Sequence, residues 1–152
     1  MPLKPSLQIL LDHAQKQSDD AAKKFGQLTS RQQQAEQKLY LLQEYRHSYQ
    51  SKFQDSAKNG VNQADWSNFN AFMKKLDTAI AEQLHNVENA NNDREVGGTE
   101  FQMRQGKLKS YDTLSKRHQQ IEIQKIIKSE QKEQDEFASS ISPHNQFAPK
   151  SK

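Results

Sequence analysis

Cysteine is absent, which removes disulfides, a thiol nucleophile and any sulfur-ligated metal site, and fits a reducing compartment. Glycine and proline are scarce, five and four in 152 residues, and most sit near the ends or in one short turn. A chain so poor in helix breakers is built for long helices. Hydrophobic residues make up only 32% and mean hydropathy is -1.11, too little for a globular interior, so the apolar surface must form a narrow seam. No apolar run approaches the roughly 18 residues a membrane span needs, and no signal-peptide core stands at the N-terminus. The net charge of +3 is mild, and basic and acidic residues are interspersed without a one-sided basic stripe. That argues against a nucleic-acid partner.

What is present in quantity is Gln, at 21 positions, together with Lys, Asp and Glu. Among them apolar residues recur at alternating steps of four and three: Leu7, Leu11, Ala14, Ser18, Ala21, Phe25, Leu28, Gln32, Ala35, Leu39, Leu42, Arg46, Tyr49, Phe53, Ser56. A 3.5-residue repeat sustained this far predicts a coiled-coil seam, because a straight helix drifts off it by about 20° per heptad. The polar members Ser18, Gln32 and Arg46 weaken the seam locally and help set its register.

Helix one is expected over about 6–58, led in by Pro5. A turn follows at about 59–62, with Gly60 suited to a left-handed backbone and Asn62 to the next helix cap. Helix two is expected over about 63–140, opening with Trp66, Phe69, Met73, Leu76, Ile80, Leu84 and Val87. The pattern fades through Asn89–Thr99, where Gly97 and Gly98 cost about 1 kcal/mol each relative to Ala. A bend there and a frayed surface stretch in a continuous helix both fit. Phe101, Leu108, Tyr111 and Leu114 resume the seam, and Pro143 should end the helix, leaving 141–152 as a tail.

The fold class is therefore all-α: one elongated, antiparallel two-helix coiled-coil hairpin spanning residues 1–152. Folding about the turn sets Phe53 against Phe69, Tyr49 against Met73, Leu42 against Ile80 and Leu7 near Leu114, a paired length of about 75 Å. Residues from about 120 to 140 form a C-terminal helical overhang carrying Ile121, Ile123, Ile126 and Ile127. These isoleucines either bundle with Leu3, Ile9 and Leu10 or enter another protein.

Catalysis finds no support. Gly97-Gly98-Thr99 lacks the lysine and spacing of a phosphate-binding loop. The five histidines (His13, His47, His85, His118 and His144) have no metal-ligand spacing, and a two-helix rod has no pocket to perturb a carboxylate. No enzyme activity, cofactor or metal is expected. A binding surface is better supported near the turn. Phe72 and Ala79 lie roughly 60–80° outside the centre of helix two's seam, with Leu76 on the border. Leu42, Tyr45 and Tyr49 lie at the same height on helix one. This apolar arc is wider than a two-helix seam requires, which marks a partner site unless one aromatic folds over the seam's edge.

The spacing Tyr45-x-x-x-Tyr49, the Gly60 turn, Trp66, Phe69, Phe72, Leu76, Ala79-Ile80 and the late Gln131-Lys132-x-x-Asp135-Glu136-Phe137-Ala138 resemble the bacterial flagellar export family FliJ. The resemblance spans nearly the whole chain. It implies a coiled-coil stalk, similar to that of rotary ATP synthases, which inserts its terminal end into the hexameric flagellar export ATPase and promotes ring assembly and activity. It also implies contact with the export gate and help in recycling export chaperones. The family's gate-contacting face falls on Leu42, Tyr45, Tyr49, Phe72, Leu76 and Ala79; Lys38 and Gln83 depart from its edge. The candidate ATPase-ring end comprises Leu7, Leu11, Ile121, Ile123, Ile126 and Ile127. The implied location is cytoplasmic, peripheral to the inner membrane at the flagellar base, and the isolated protein is expected to be a monomer. The alternatives are the equivalent stalk of a virulence-type secretion system and a general coiled-coil adaptor or homodimer.

Overall fold

The computed structural model describes residues 5–147, two α-helices and no strand: α1 (Pro5–Ala57) and α2 (Gln63–Phe147). Leu3 and the end of the tail lie outside the described residues. The chain falls into two compact units, Gln17–Gln105 and a second made of Met1–Lys16 with Gly106–Lys152.

In the unit Gln17–Gln105 the helices form an antiparallel hairpin. The Gly60 N–H bonds to the Ala57 carbonyl at 3.0 Å, and Gly60 has φ of 98°, a region where a Cβ would be strained. The Asn62 side chain accepts the Asp65 N–H at 2.8 Å and so satisfies one of the free donors at the start of α2. Asp65 adds the only acidic charge in that first turn, where the helix dipole favours it.

The seam of α1 follows the four-three spacing: of its fifteen positions only Ser56 is exposed. On α2 the same alternation runs without a break through 69, 73, 76, 80, 83, 87, 90, 94, 97, 101 and 104, and Arg94 is its only exposed member. Three seam expectations fail. Trp66 is half-exposed at 50%, flanking Phe53 and Phe69 instead of entering the seam. Leu84 is 49% exposed, and Gln83 takes the seam position at 4%. In the other unit Leu114 is 48% exposed and Ser115 is buried. The helix period outranks hydrophobicity at both places, since a residue one step off the seam turns about 100° away from it.

Among the described residues no buried side-chain polar atom lacks a partner, and partly exposed polar side chains bond across the seam. Gln83 Nε2 donates to the Ala35 carbonyl at 2.9 Å, and its Oε1 accepts from Asn86 at 3.2 Å. Gln32 donates to Asn91, Arg46 pairs with Asp77 at 2.6 Å, and Arg104 donates to Gln17 at 3.0 Å. The bonds to Ala35, Asn91, Asp77 and Gln17 join α1 to α2, so directional bonds fix the register through the middle of the hairpin, where apolar residues are few.

Gly97 and Gly98 cause no break in α2. Gly97 is buried against α1, and a Cβ there would stand 2.5 Å from Leu28 Cδ1 and 3.9 Å from Phe25 Cα. At Gly98 a Cβ would meet the edge of the Phe25 ring at 3.1 Å. Arg94 covers that ring at 5.7 Å and donates to Thr29, while Phe101 packs beside it with centroids 6.1 Å apart. The glycines let the two helix backbones approach, which offsets their poor helix propensity.

The unit containing both chain ends pairs the start of α1 with α2 from residue 106 onward. Among its described residues Ala14 and Ser115 are buried, at 3% and 5% exposure, with Leu7, Leu11, Leu108 and Tyr111 half-buried. Glu122 is the last residue of α2 with a shielded side chain before an exposed run through Ile141. The helix continues past residue 140 and through Pro143 to Phe147. A proline removes one backbone donor from a helix, and here that loss does not end it.

Candidate functional site: an aromatic cluster beside the turn

The only buried apolar cluster among the described residues is Phe69, Met73 and Leu76, with Tyr49, Phe53 and Phe72 packed against it. Full burial of such a side chain is worth about 1.5–3 kcal/mol, so this end of the hairpin carries the densest stabilisation. Phe53 and Phe69 stack at 3.9 Å and 9°, and Tyr49 stacks on Phe69 at 5.6 Å and 14°. These three rings fill the seam.

Two further rings extend the cluster outward. Phe72 lies 4.6 Å from Tyr49, and Tyr45 meets Phe72 edge-on at 6.1 Å and 74°. Tyr45 also lies 6.4 Å from Tyr49, yet it is 52% exposed. The cluster thus grades from closed seam to open face across five rings. Edge-to-face and offset contacts are the favoured aromatic geometries, so Tyr45 is held in place while exposed.

Of the six residues expected to form a partner face, Tyr45, Tyr49 and Phe72 are in mutual ring contact. Leu42 and Ala79 are half-buried. Leu76 belongs to the core at 6% exposure, so its first role is to hold the helices together. Gln83, one turn further along α2, has both amide atoms engaged within the hairpin. Its seam role is hidden by the more hydrophobic neighbour Leu84, and the signal for it is the period, since Gln83 stands three residues on from Ile80.

The second set of candidates lies in the unit that holds the chain ends. Leu7 and Leu11 are half-buried against α2, whereas Ile121, Ile123, Ile126 and Ile127 are exposed by 40–52%. Ile9 and Leu10 are themselves 67% and 45% exposed, so the isoleucines are not covered by the first turns of α1. No described helix is long and apolar enough to cross a membrane.

Comparison with known proteins points to one family. The flagellar FliJ protein of Salmonella typhi is 28% identical over 133 residues, covering 88% of this chain and 90% of its own. That of Escherichia coli (strain K12) is 26% identical with the same coverage. The flagellar FliJ protein of Buchnera aphidicola subsp. Schizaphis graminum (strain Sg) is 28% identical over 100 residues, 66% of each chain. The family model for the flagellar FliJ protein matches residues 3–146. With its helical hairpin and a match over nearly its whole length, this chain belongs to the flagellar FliJ protein family, which acts in flagellum biogenesis and protein export.

Proposed function

We propose that the protein is a non-catalytic stalk of the flagellar export apparatus, working in the cytoplasm at the base of the flagellum. It binds the export gate through the aromatic face around Tyr45 and Phe72, with Leu42, Tyr49 and Ala79 beside them. Its terminal unit, with Leu7, Leu11 and the isoleucines from Ile121 to Ile127, engages the hexameric export ATPase and promotes ring assembly. Export chaperones are further partners, and the isolated protein is monomeric.

The observation that carries the gate reading is Tyr45. Its ring is exposed by half but locked edge-on against Phe72, so a partner would gain aromatic contact with little ordering cost. Leu76 supports the face from beneath as a core residue.

The test is binding of the soluble part of the cognate export gate to wild type and to variants, with far-UV circular dichroism on each. Tyr45→Ala is expected to weaken binding by about 2 kcal/mol, the scale of an interface hot spot, with unchanged helicity. Tyr40→Ala, on an equally open ring at 60% exposure outside the cluster, is expected to bind as wild type. Equal effects of both substitutions would remove the assignment. Hydrolysis by the cognate ATPase, with and without this protein, tests the other contact, and an unchanged rate with no added hexamer would refute it.

A further inference from the structure

The apolar pattern of α2 changes face where its pairing with α1 ends. Up to Glu122 the shielded positions follow 108, 111, 115, 118 and 122. Continued, that alternation would fall on Lys125, Ser129, Lys132 and Glu136, all polar. A new four-three series starts instead at Ile123 and runs through Ile127, Glu130, Gln134, Phe137 and Ile141. At 100° per residue this stripe is centred about 100° from the old seam. Its apolar members are exposed by 52%, 47%, 68% and 41% respectively. A heptad series that faces no helix of its own chain is the pattern by which one helix receives another.

The stripe also carries charge of one sign. Its central positions are Glu130 and Gln134, Glu133 lies along its edge, and the three line a shallow groove of about 310 Å³ together with Phe137. Glu130 and Glu133 make no ion pair among the described residues. The cations of this segment, Lys125, Lys128 and Lys132, project from the other side of the helix at about 100° per residue. A second copy of this segment fits poorly, because antiparallel pairing sets Glu133 near Glu133 and parallel pairing sets Glu130 beside Glu130. A helix with an apolar seam edged by Lys or Arg fits both the spacing and the charge.

We infer that the 123–141 stripe of α2 is a docking face for a basic amphipathic helix of a partner protein. The inference goes beyond the ATPase contact proposed above, since its acidic centre and its Phe137 and Ile141 anchors lie outside that residue set.

The probes are two synthetic amphipathic helical peptides, both with Leu at the seam positions, one flanked by Lys and its twin by Glu. Each is titrated into the full-length protein by fluorescence anisotropy at low and high salt. The Lys peptide is expected to bind, more weakly as salt rises, and to lose at least about tenfold in affinity when Phe137→Ser and Ile141→Ser are combined, a ΔΔG of about 1.4 kcal/mol. Glu130→Lys with Glu133→Lys is expected to reverse the preference toward the Glu peptide. That charge swap leaves Ile121, Ile123, Ile126 and Ile127 intact, so stimulation of the ATPase by the swapped protein reports separately on the ring contact. Equal binding of both peptides, or Lys-peptide binding indifferent to the serine and charge-swap variants, would overturn the proposal. So would a wild-type dimer in sedimentation that the serine variant dissolves, since a second copy would then cover the stripe.

Discussion

Replacing Gly97 with Ala opposes two terms whose sizes can be set from the structure. In an open helix interior, Gly to Ala stabilises by about 1 kcal/mol. Gly26 is such a site: it lies in α1 of the same unit, and an added Cβ would meet nothing within 4 Å. At Gly97 the new Cβ would stand 2.5 Å from Leu28 Cδ1, at least about 1 Å inside the usual carbon–carbon separation. Leu28 must rotate or the helices must part, and overpacking of this kind costs about 1–3 kcal/mol. Because the atom met is the end of a side chain and not backbone, the lower part of that range applies.

Gly26→Ala is therefore expected to stabilise by about 1 kcal/mol, and Gly97→Ala to range from neutral to about 1 kcal/mol destabilising. Urea unfolding followed by far-UV circular dichroism reads both, and an unchanged m-value certifies the comparison. Adding Leu28→Ala to Gly97→Ala should relieve the clash and give a non-additive cycle. If Gly97→Ala stabilises as much as Gly26→Ala, the helices do not approach as described, and the glycines would have no packing role.

Three further outcomes are expected. Leu76→Ala should destabilise by about 2 kcal/mol, the low end for a buried leucine because the seam is thin; weakened gate binding in that variant with full stability retained would instead put Leu76 on the partner face. Gln83→Leu removes a buried amide bonded to the Ala35 carbonyl and restores an apolar seam position, so urea midpoints should hold or rise; a loss above about 2 kcal/mol would mean the bond does more than set register. A double-mutant cycle on Arg46 and Asp77, both partly exposed, should give a coupling below about 1 kcal/mol that shrinks with added salt. A larger, salt-insensitive coupling would contradict the exposure.

Much of the hairpin was legible in the residues because a heptad repeat is a local property. The four-three spacing of α1, the left-handed Gly60 and the Asn62 cap depend on neighbours a few positions away. They are written in the chain at that distance, and the resemblance to the FliJ family rests on the same stretch. Where hydrophobicity and period disagreed, at Leu84 against Gln83 and at Leu114 against Ser115, local reading chose the more hydrophobic residue and missed the seam. In a seam this thin, small or amide side chains are accepted if they fit or find a bond.

Only the tertiary structure decided how one helix meets the other across the sequence. It put Leu76 in the core and left Tyr45 half open, although both are expected on the same partner face. It turned Gly97 and Gly98 from an expected weak point into the place where Phe25 and Leu28 press against α2. It also showed that the shielding of α2 stops at Glu122, so that the change of face at Ile123 leaves an apolar stripe bare. The physical reason is common to all three. Helix period tells which way a side chain points, but what it meets there depends on the distance and register of a second helix, and those come only with the fold.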